Sequence, residues 1–143
     1  MGDLSHNDVL VTACLAWVLA QCSKLLIVLL RDRELQISYM TSAGGMPSSH
    51  SAVVVALATR VGMEEGMASP AFAIAFVFAG VVLYDAAGIR RAVSVQARIL
   101  NRMLEEVMEY QRFNEKRLLE LLGHTPFEVF VGSLLGLLVA LSW

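Results

Sequence analysis

The chain has 143 residues, of which 57% are hydrophobic and 17% are charged. A soluble domain of this size is roughly half apolar, so we expect a lipid bilayer to be the solvent. The formal net charge of −2 gives no support for a nucleic-acid-binding protein. No linker, repeat or low-complexity tract divides the sequence, which predicts one membrane domain over residues 1–143.

Four apolar segments predict membrane helices, and they are Val9 to Leu30, Ser51 to Met63, Ala71 to Ile89 and Phe127 to Trp143. A spanning helix needs about 20 residues, and the second segment reaches this length only if it runs from near Ser48 to about Met67. The fourth carries Gly132, Ser133 and Gly136, small residues that favour close helix contact. No basic region precedes the first segment, so we expect it to remain as a span rather than to be removed as a signal peptide.

Two cysteines, Cys14 and Cys22, lie inside the first apolar segment. Their position differs from the spacing of a disulfide framework or a zinc site. We expect both to be packing residues.

The region between Ile89 and Gly123 contains neither Gly nor Pro. Its apolar residues recur every three or four positions, which predicts a long amphipathic helix that lies on the membrane surface or packs against a partner. If continuous, this helix would carry the last span to a neighbouring subunit, giving a homodimer with an exchanged last span. A break within "EYQRFNEK" would instead return the last span to its own chain.

The positive charges predict the orientation, because cytoplasmic connections are enriched in Lys and Arg. Two of these residues lie in residues 31–49 and seven in residues 90–126, whereas Arg60 lies near the opposite side with Glu64 and Glu65. Both termini are therefore expected outside. The sequences "GGMPSSHS", "YDAAGIRR" and "GHTPFE" then all lie at the cytoplasmic face.

The stretch "GGMPSSHSA" begins the second apolar segment. Ser48 or Ser49 can cap a helix that Pro47 helps to start. Free amides at a helix start bind anions, and His50 beside such an anion could donate a proton near neutral pH. The alternative is an N-cap with an interfacial histidine.

A second histidine, His124, precedes the last segment in "GHTPFEV". Thr125 and Glu128 fit a capping box, with Pro126 at the favoured first helical position. Glu128 lies four residues after His124 and could instead orient the imidazole and stabilise its charged form. Both roles for Glu128 stay open.

Four cations complete the set of candidate residues. Lys24 lies inside the first span, where a charge is costly unless it finds an anion or a polar cavity, and Arg31 lies seven positions later on roughly the same face. Arg90 and Arg91 follow the third span. Snorkelling to the headgroups and a purely topological role are the alternatives for these cations.

Together these residues resemble the type-two phosphatidic acid phosphatase superfamily, whose active site is shared with vanadium-dependent haloperoxidases and bacterial acid phosphatases. The whole chain looks most like the divergent branch of that superfamily. Lys24 and Arg31 match the first motif, with Asp32 in place of its proline. Residues 47–50 match the second motif, Pro-Ser-Gly-His, with Ser49 in place of glycine.

The third motif consists of an arginine, a nucleophilic histidine six positions later and an aspartate four positions beyond it. His124 and Glu128 keep the histidine-to-carboxylate spacing, with glutamate for aspartate. Leu118 occupies the arginine position and Arg117 is one residue out of register, so Arg90 or Arg91 is expected to substitute.

The resemblance implies a phosphatase that acts on a lipid or isoprenoid phosphate at the cytoplasmic membrane face. It implies that His124 attacks phosphorus, that His50 protonates the leaving oxygen, and that no metal or other cofactor is needed. The phosphate oxygens would be held by Lys24, Arg31, Ser48, Ser49, Arg90 and Arg91. The alternative is a non-catalytic membrane protein that keeps the fold as a lipid-binding or assembly element.

Overall fold

The computed structural model describes residues 7–32, 45–88, 95–103 and 125–142, and all their regular structure is α-helical. The helices are α1 (Asp8–Asp32), α2 (Ser49–Glu64), α3 (Pro70–Ala87), α4 (residues 95–103) and α5 (Pro126–Ser142). This confirms the predicted all-α class, and each predicted apolar segment ends within two residues of a helix end. The rest of the predicted amphipathic helix, in residues 89–94 and 104–123, lies outside the described residues.

Side-chain caps explain where these helices begin. The Ser69 hydroxyl accepts the amide hydrogen of Phe72 at 3.1 Å, and Pro70 occupies the first turn of α3. At the start of α1, the Asn7 side-chain oxygen accepts the Leu10 amide hydrogen at 2.9 Å. Each cap satisfies an amide that has no partner within its own helix.

The shortest of the four apolar helices, α2, lies at the centre of the bundle and packs against α1, α3 and α5. Helix α1 runs antiparallel to α2, because Asp8 lies 3.6 Å from Arg60 near the end of α2 while Lys24 lies beside Gly45 near its start. Helix α3 is also antiparallel, since its early residue Phe72 contacts Gly62. Helix α5 runs parallel to α2, so both begin at the same end of the bundle.

Helix α5 packs against α2 and α1 of its own chain, the arrangement expected from the alternative in which a break within "EYQRFNEK" returns the last span. The exchanged last span of the predicted homodimer stays a prediction.

Small side chains fill the interior, and large apolar side chains face outward. The buried hydrophobic residues within the described part of the chain are all Ala or Val. Large apolar side chains are exposed along α1, α3 and α5, including Leu30 (73%), Ile74 (72%) and Phe127 (63%). In water such a surface would be an aggregation hazard, whereas small residues at helix contacts are typical of membrane helices. The distribution therefore favours a bilayer around the bundle.

Two described helices are long and apolar enough to cross a membrane, Asp8–Leu30 of α1 and Pro70–Ala87 of α3. This supports two of the four predicted spans. Helix α5 is apolar but has 17 residues, and α2 has 16 and ends with Arg60 and Glu64 in its last two turns. At 1.5 Å per residue these helices are about 26 and 24 Å long, shorter than a hydrocarbon core of about 30 Å.

Cys14 and Cys22 are both free thiols on the exposed side of α1. The prediction that they are packing residues is therefore wrong within the described bundle, whose interior they do not reach. The inward side of α1 is occupied instead by Ala13, Ala16 and Ala20, because only small side chains allow α1 to approach its neighbours closely.

Candidate active site

The loop that leads into α2 is compact and largely buried. Gly45 has a positive φ of 98°, and the Met46–Pro47 peptide bond is cis. Pro47, Ser48 and Ser49 are buried, whereas His50 is exposed at the first turn of α2. The loop therefore presents the histidine at the surface and encloses the two serines.

Ser48 is the N-cap of α2, one of the two capping residues that the sequence suggests. Its hydroxyl oxygen accepts the Ser51 amide hydrogen at 3.3 Å and the Ser51 hydroxyl hydrogen at 2.9 Å. Both side chains are fully buried. Sequence reasoning missed Ser51, although its position three residues after the cap is a signal that could have identified it.

Lys24 lies against this loop although it comes from the middle of α1. The side chain is 3% exposed, and a Cβ on Gly45 would lie 3.6 Å from its Cγ, Cδ and Cε atoms. The structure thus brings the first-motif lysine beside the loop that leads into the second motif. Gln21, one turn earlier on α1, is also buried and was not identified from the sequence, although its polarity inside an apolar segment was a signal.

Arg31 follows Lys24 by seven residues within the same helix. Two helical turns separate them, so their backbones lie on one side of α1 about 10 Å apart along the axis. The side chain of Arg31 lies outside the described part of the structure.

Helix α5 joins the site through its backbone. The Ser48 amide donates a hydrogen bond to the Glu128 carbonyl oxygen at 3.1 Å. Further along, a Cβ on Gly132 would overlap the Ser48 carbonyl oxygen, and one on Gly136 would overlap the Ala52 carbonyl oxygen. The two glycines thus allow the backbones to touch, which confirms the close helix contact that these small residues predict.

Glu128 forms the capping box of α5 with Thr125. Its Oε2 atom accepts the Thr125 amide hydrogen at 2.9 Å, and the Thr125 hydroxyl oxygen accepts the Glu128 amide hydrogen at 3.3 Å. The capping role of Glu128 is thus present. Its suggested role on His124 is untested, because His124 lies outside the described residues.

Five of the predicted site residues lie in the described structure with their side chains, and all occur at the end where α2 and α5 begin: Lys24, Ser48, Ser49, His50 and Glu128. Arg90, Arg91 and His124 lie outside the described residues, and their placement stays a prediction. Among the residues that the structure does describe, no group of three or more His, Cys, Asp and Glu residues could hold a metal ion.

The arrangement favours an anion at this end of the bundle. Two parallel helices begin side by side, and each contributes the positive pole of its dipole. Lys24 adds a positive charge beside them, while α1 continues for eight residues, about 12 Å, so that its negative pole lies further out. An exposed imidazole at such a position can exchange a proton with a bound anion.

Comparison with known proteins identifies the family of the chain. No solved structure matches the chain. The chain is 40% identical over 153 aligned positions to the uncharacterized membrane protein YuiD of Bacillus subtilis (strain 168), covering 97% of this chain and 95% of that protein. Residues 5–139 match the Divergent PAP2 family. A match over nearly the whole length, which includes the lysine, the capped histidine loop and the glycine-packed last helix, shows that the chain belongs to the Divergent PAP2 family.

Proposed function

We propose that this protein is a phosphatase that hydrolyses a lipid or isoprenoid phosphate at the cytoplasmic membrane face through a phosphohistidine intermediate. The observation that carries the proposal is that Lys24 lies beside Gly45 in the loop before α2, whose start is hydrogen-bonded to the start of α5 at one end of a membrane-type bundle. Phosphoryl transfer depends mainly on positioning and on stabilising charge at the phosphate oxygens. Two helix starts and a buried lysine supply both.

In the proposed reaction, a nitrogen of the His124 imidazole attacks phosphorus and the phosphorus–oxygen ester bond breaks. His50 donates its proton to the leaving oxygen, and water then hydrolyses the phosphohistidine to release inorganic phosphate. Glu128 orients His124 while it also caps α5. The phosphate oxygens are held by side chains from three regions: Lys24, Arg31, Ser48, Ser49, Arg90 and Arg91. No metal takes part in this scheme.

The exposed apolar surface of the bundle supports a lipid-linked substrate. In the proposed arrangement α1, α2, α3 and α5 all cross the membrane, with the two shorter helices held inside by α1 and α3. The acyl or isoprenoid chain stays in the bilayer, and its phosphate reaches the end where α2 and α5 begin. The surplus of Lys and Arg in the connections supports a cytoplasmic location for this end.

One observation favours the non-catalytic alternative. The Ser48 amide, the Ser48 hydroxyl and one Glu128 carboxylate oxygen are all engaged by other groups of the protein. These bonds stabilise the helix starts without any ligand. A lipid-binding or assembly element would keep the same contacts and need no turnover.

Phosphate release from purified protein separates the two functions. The substrates are phosphatidylglycerol phosphate, phosphatidic acid and a polyprenyl pyrophosphate, each in mixed micelles. We expect release from at least one, loss of release in His124→Ala and His50→Ala, and full release in the control His6→Ala, which changes the remaining histidine of the chain. Orthovanadate should inhibit as a mimic of pentacoordinate phosphorus, and a chelator should not.

Absence of phosphate release from every substrate in folded protein would favour the non-catalytic alternative. Full release by His124→Ala would remove His124 as the nucleophile. Loss of release with the chelator would indicate a metal-dependent enzyme.

The proposed homodimer has its own test. Mixing His50→Ala with His124→Ala protein should recover a fraction of the activity if the last span is exchanged between chains. A site built within one chain, as α5 is packed here, should recover none.

A further inference from the structure

Helix α4 has two faces of opposite character. Ala97 and Asn101, four residues apart, are buried at 8% and 5% exposure. On the opposite side of the helix, Val95, Ile99 and Met103 follow one another at four-residue intervals and are exposed at 46%, 50% and 57%. At 100° per residue these three side chains form one stripe. The stripe is apolar and directed away from the buried face.

Two arginines border this stripe along one edge. Arg98 and Arg102 are both exposed and lie one helical turn apart, each immediately before a stripe residue. Side chains at this separation have Cβ atoms about 5 to 6 Å apart. The outward side of α4 therefore combines an apolar ridge with a parallel row of guanidinium groups.

The position of α4 in the chain brings it close to the candidate site. Helix α3 runs antiparallel to α2, so its last residues point toward the end of the bundle where α2 and α5 begin. Seven residue steps join Gly88 to Val95, and an extended chain covers at most about 25 Å over seven steps. The beginning of α4 thus lies within about 25 Å of the end of α3, which is at the end of the bundle where α2 and α5 begin.

We propose that the outward face of α4 lies in the membrane interface and binds anionic phospholipid headgroups through Arg98 and Arg102. The stripe of Val95, Ile99 and Met103 enters the boundary between headgroups and acyl chains, to a depth of roughly 5 to 10 Å. The arginines extend along this boundary to the headgroup phosphates, which they can bind with paired N–H groups. Anionic lipid is thereby concentrated beside the candidate site.

The charges distinguish this occupant from a second copy of the chain. In a symmetric dimer whose stripes pack antiparallel, each copy would bring Arg98 and Arg102 to the same side of the contact, and like charges would meet. An anionic lipid surface offers the complementary charge instead. The inference rests on α4 alone and stands whether or not the protein is a phosphatase.

Nitroxide labels in reconstituted vesicles test the proposal. Single cysteines replace Ile99, Glu65 or Val77 in a Cys14→Ser/Cys22→Ser background. Glu65, in the exposed turn after α2, is the aqueous reference, and Val77, exposed at 64% on the middle of α3, is the lipid reference. The measurement is the ratio of label collisions with oxygen, which partitions into lipid, to collisions with a water-soluble nickel chelate.

We expect the ratio at position 99 to exceed that at position 65 severalfold and to lie below that at position 77. The collision ratio at position 99 should be higher in vesicles containing one part phosphatidylglycerol to two parts phosphatidylcholine, by mole, than in phosphatidylcholine alone. Arg98→Gln/Arg102→Gln should abolish that lipid dependence, whereas Arg60→Gln, at the other end of the bundle, should preserve it.

Two results would overturn the inference. A ratio at position 99 equal to that at position 65 in both vesicles would place the stripe in water. Few collisions with either reagent, together with spin–spin broadening that disappears on dilution with unlabelled protein, would show that a second copy covers the face.

Discussion

Two of the helix contacts of α2, with α5 and with α3, differ in kind. Against α5, helix α2 packs backbone to backbone, because Gly132 and Gly136 carry no Cβ where the Ser48 and Ala52 carbonyls approach. Against α3 it packs through side chains, with Val54, Ala58 and Val61 of α2 meeting Ala75 and Ala79 of α3. The first contact has no room for one more carbon atom, whereas the second can adjust by rotating side chains.

This difference follows the location of the candidate site. The contact with α5 lies at the start of α2, where Ser48 caps the helix and its amide donates to the Glu128 carbonyl. A backbone contact fixes the distance between two helix starts more strictly than flexible side chains can. We therefore expect changes at the α2–α5 contact to affect function more than equal changes at the α2–α3 contact.

The largest loss of stability and activity is expected from Gly132→Ala and Gly136→Ala. Each added Cβ would overlap a backbone carbonyl, which cannot rotate away, so the helices must separate. Overpacking of this kind costs about 1 to 3 kcal/mol, and we place both variants at the upper end. The measurement is the free energy of unfolding in a detergent titration, alongside phosphate release. Gly80→Ala, at a position with open space around it, is the control and should stay close to wild type.

A smaller loss is expected from Ser48→Ala, which removes the cap of α2 and leaves the buried Ser51 hydroxyl without its acceptor. Loss of an N-cap costs about 1 kcal/mol. Ser69→Ala removes the corresponding cap of α3 and serves as the matched control. Similar stability in the two variants with activity lost only in Ser48→Ala would support a role in the site, and equal activity would limit Ser48 to capping.

A still smaller loss of stability is expected from Gly62→Ala in the α2–α3 contact. The added Cβ would lie 2.9 Å from two ring carbons of Phe72, and this ring can move. We expect a loss of about 1 kcal/mol or less, with activity close to wild type. Phe72→Leu in the same chain should restore part of the stability. A loss as large as that of Gly132→Ala would contradict the proposed difference between the two contacts.

The smallest effect is expected from Arg60→Gln. The guanidinium lies 2.7 Å from Glu64 and 3.6 Å from Asp8, at the end of the bundle away from the candidate site. The Asp8 side chain is 58% exposed, so solvent screens the pair, and exposed pairs contribute about 0 to 1 kcal/mol. Thermal stability in detergent should fall slightly at low salt and not at high salt, with phosphate release unchanged.

Several features could be predicted from local sequence because their causes are local. Ser48 before α2, and Thr125 with Glu128 at α5, are caps whose hydrogen bonds reach only three residues along the chain. The apolar runs define the helices within two residues because helix periodicity and breakers act over short distances. The exposed positions of Cys14 and Cys22 could not be predicted in this way, since a uniformly apolar helix does not reveal which side meets its neighbours.

The amino-acid sequence by itself determined that the chain is helical, apolar and equipped with two capped helix starts, each preceded or followed closely by a histidine. The tertiary structure decided which of these parts meet. Lys24 and Gly45 are far apart in the chain, as are Ser48 and Gly132, and their contacts depend on helix directions that no local pattern encodes. Ala52, Gly132 and Gly136 permit a close approach of α2 and α5 because they are small. Only the parallel packing of these two helices brings the backbone of Glu128 to Ser48.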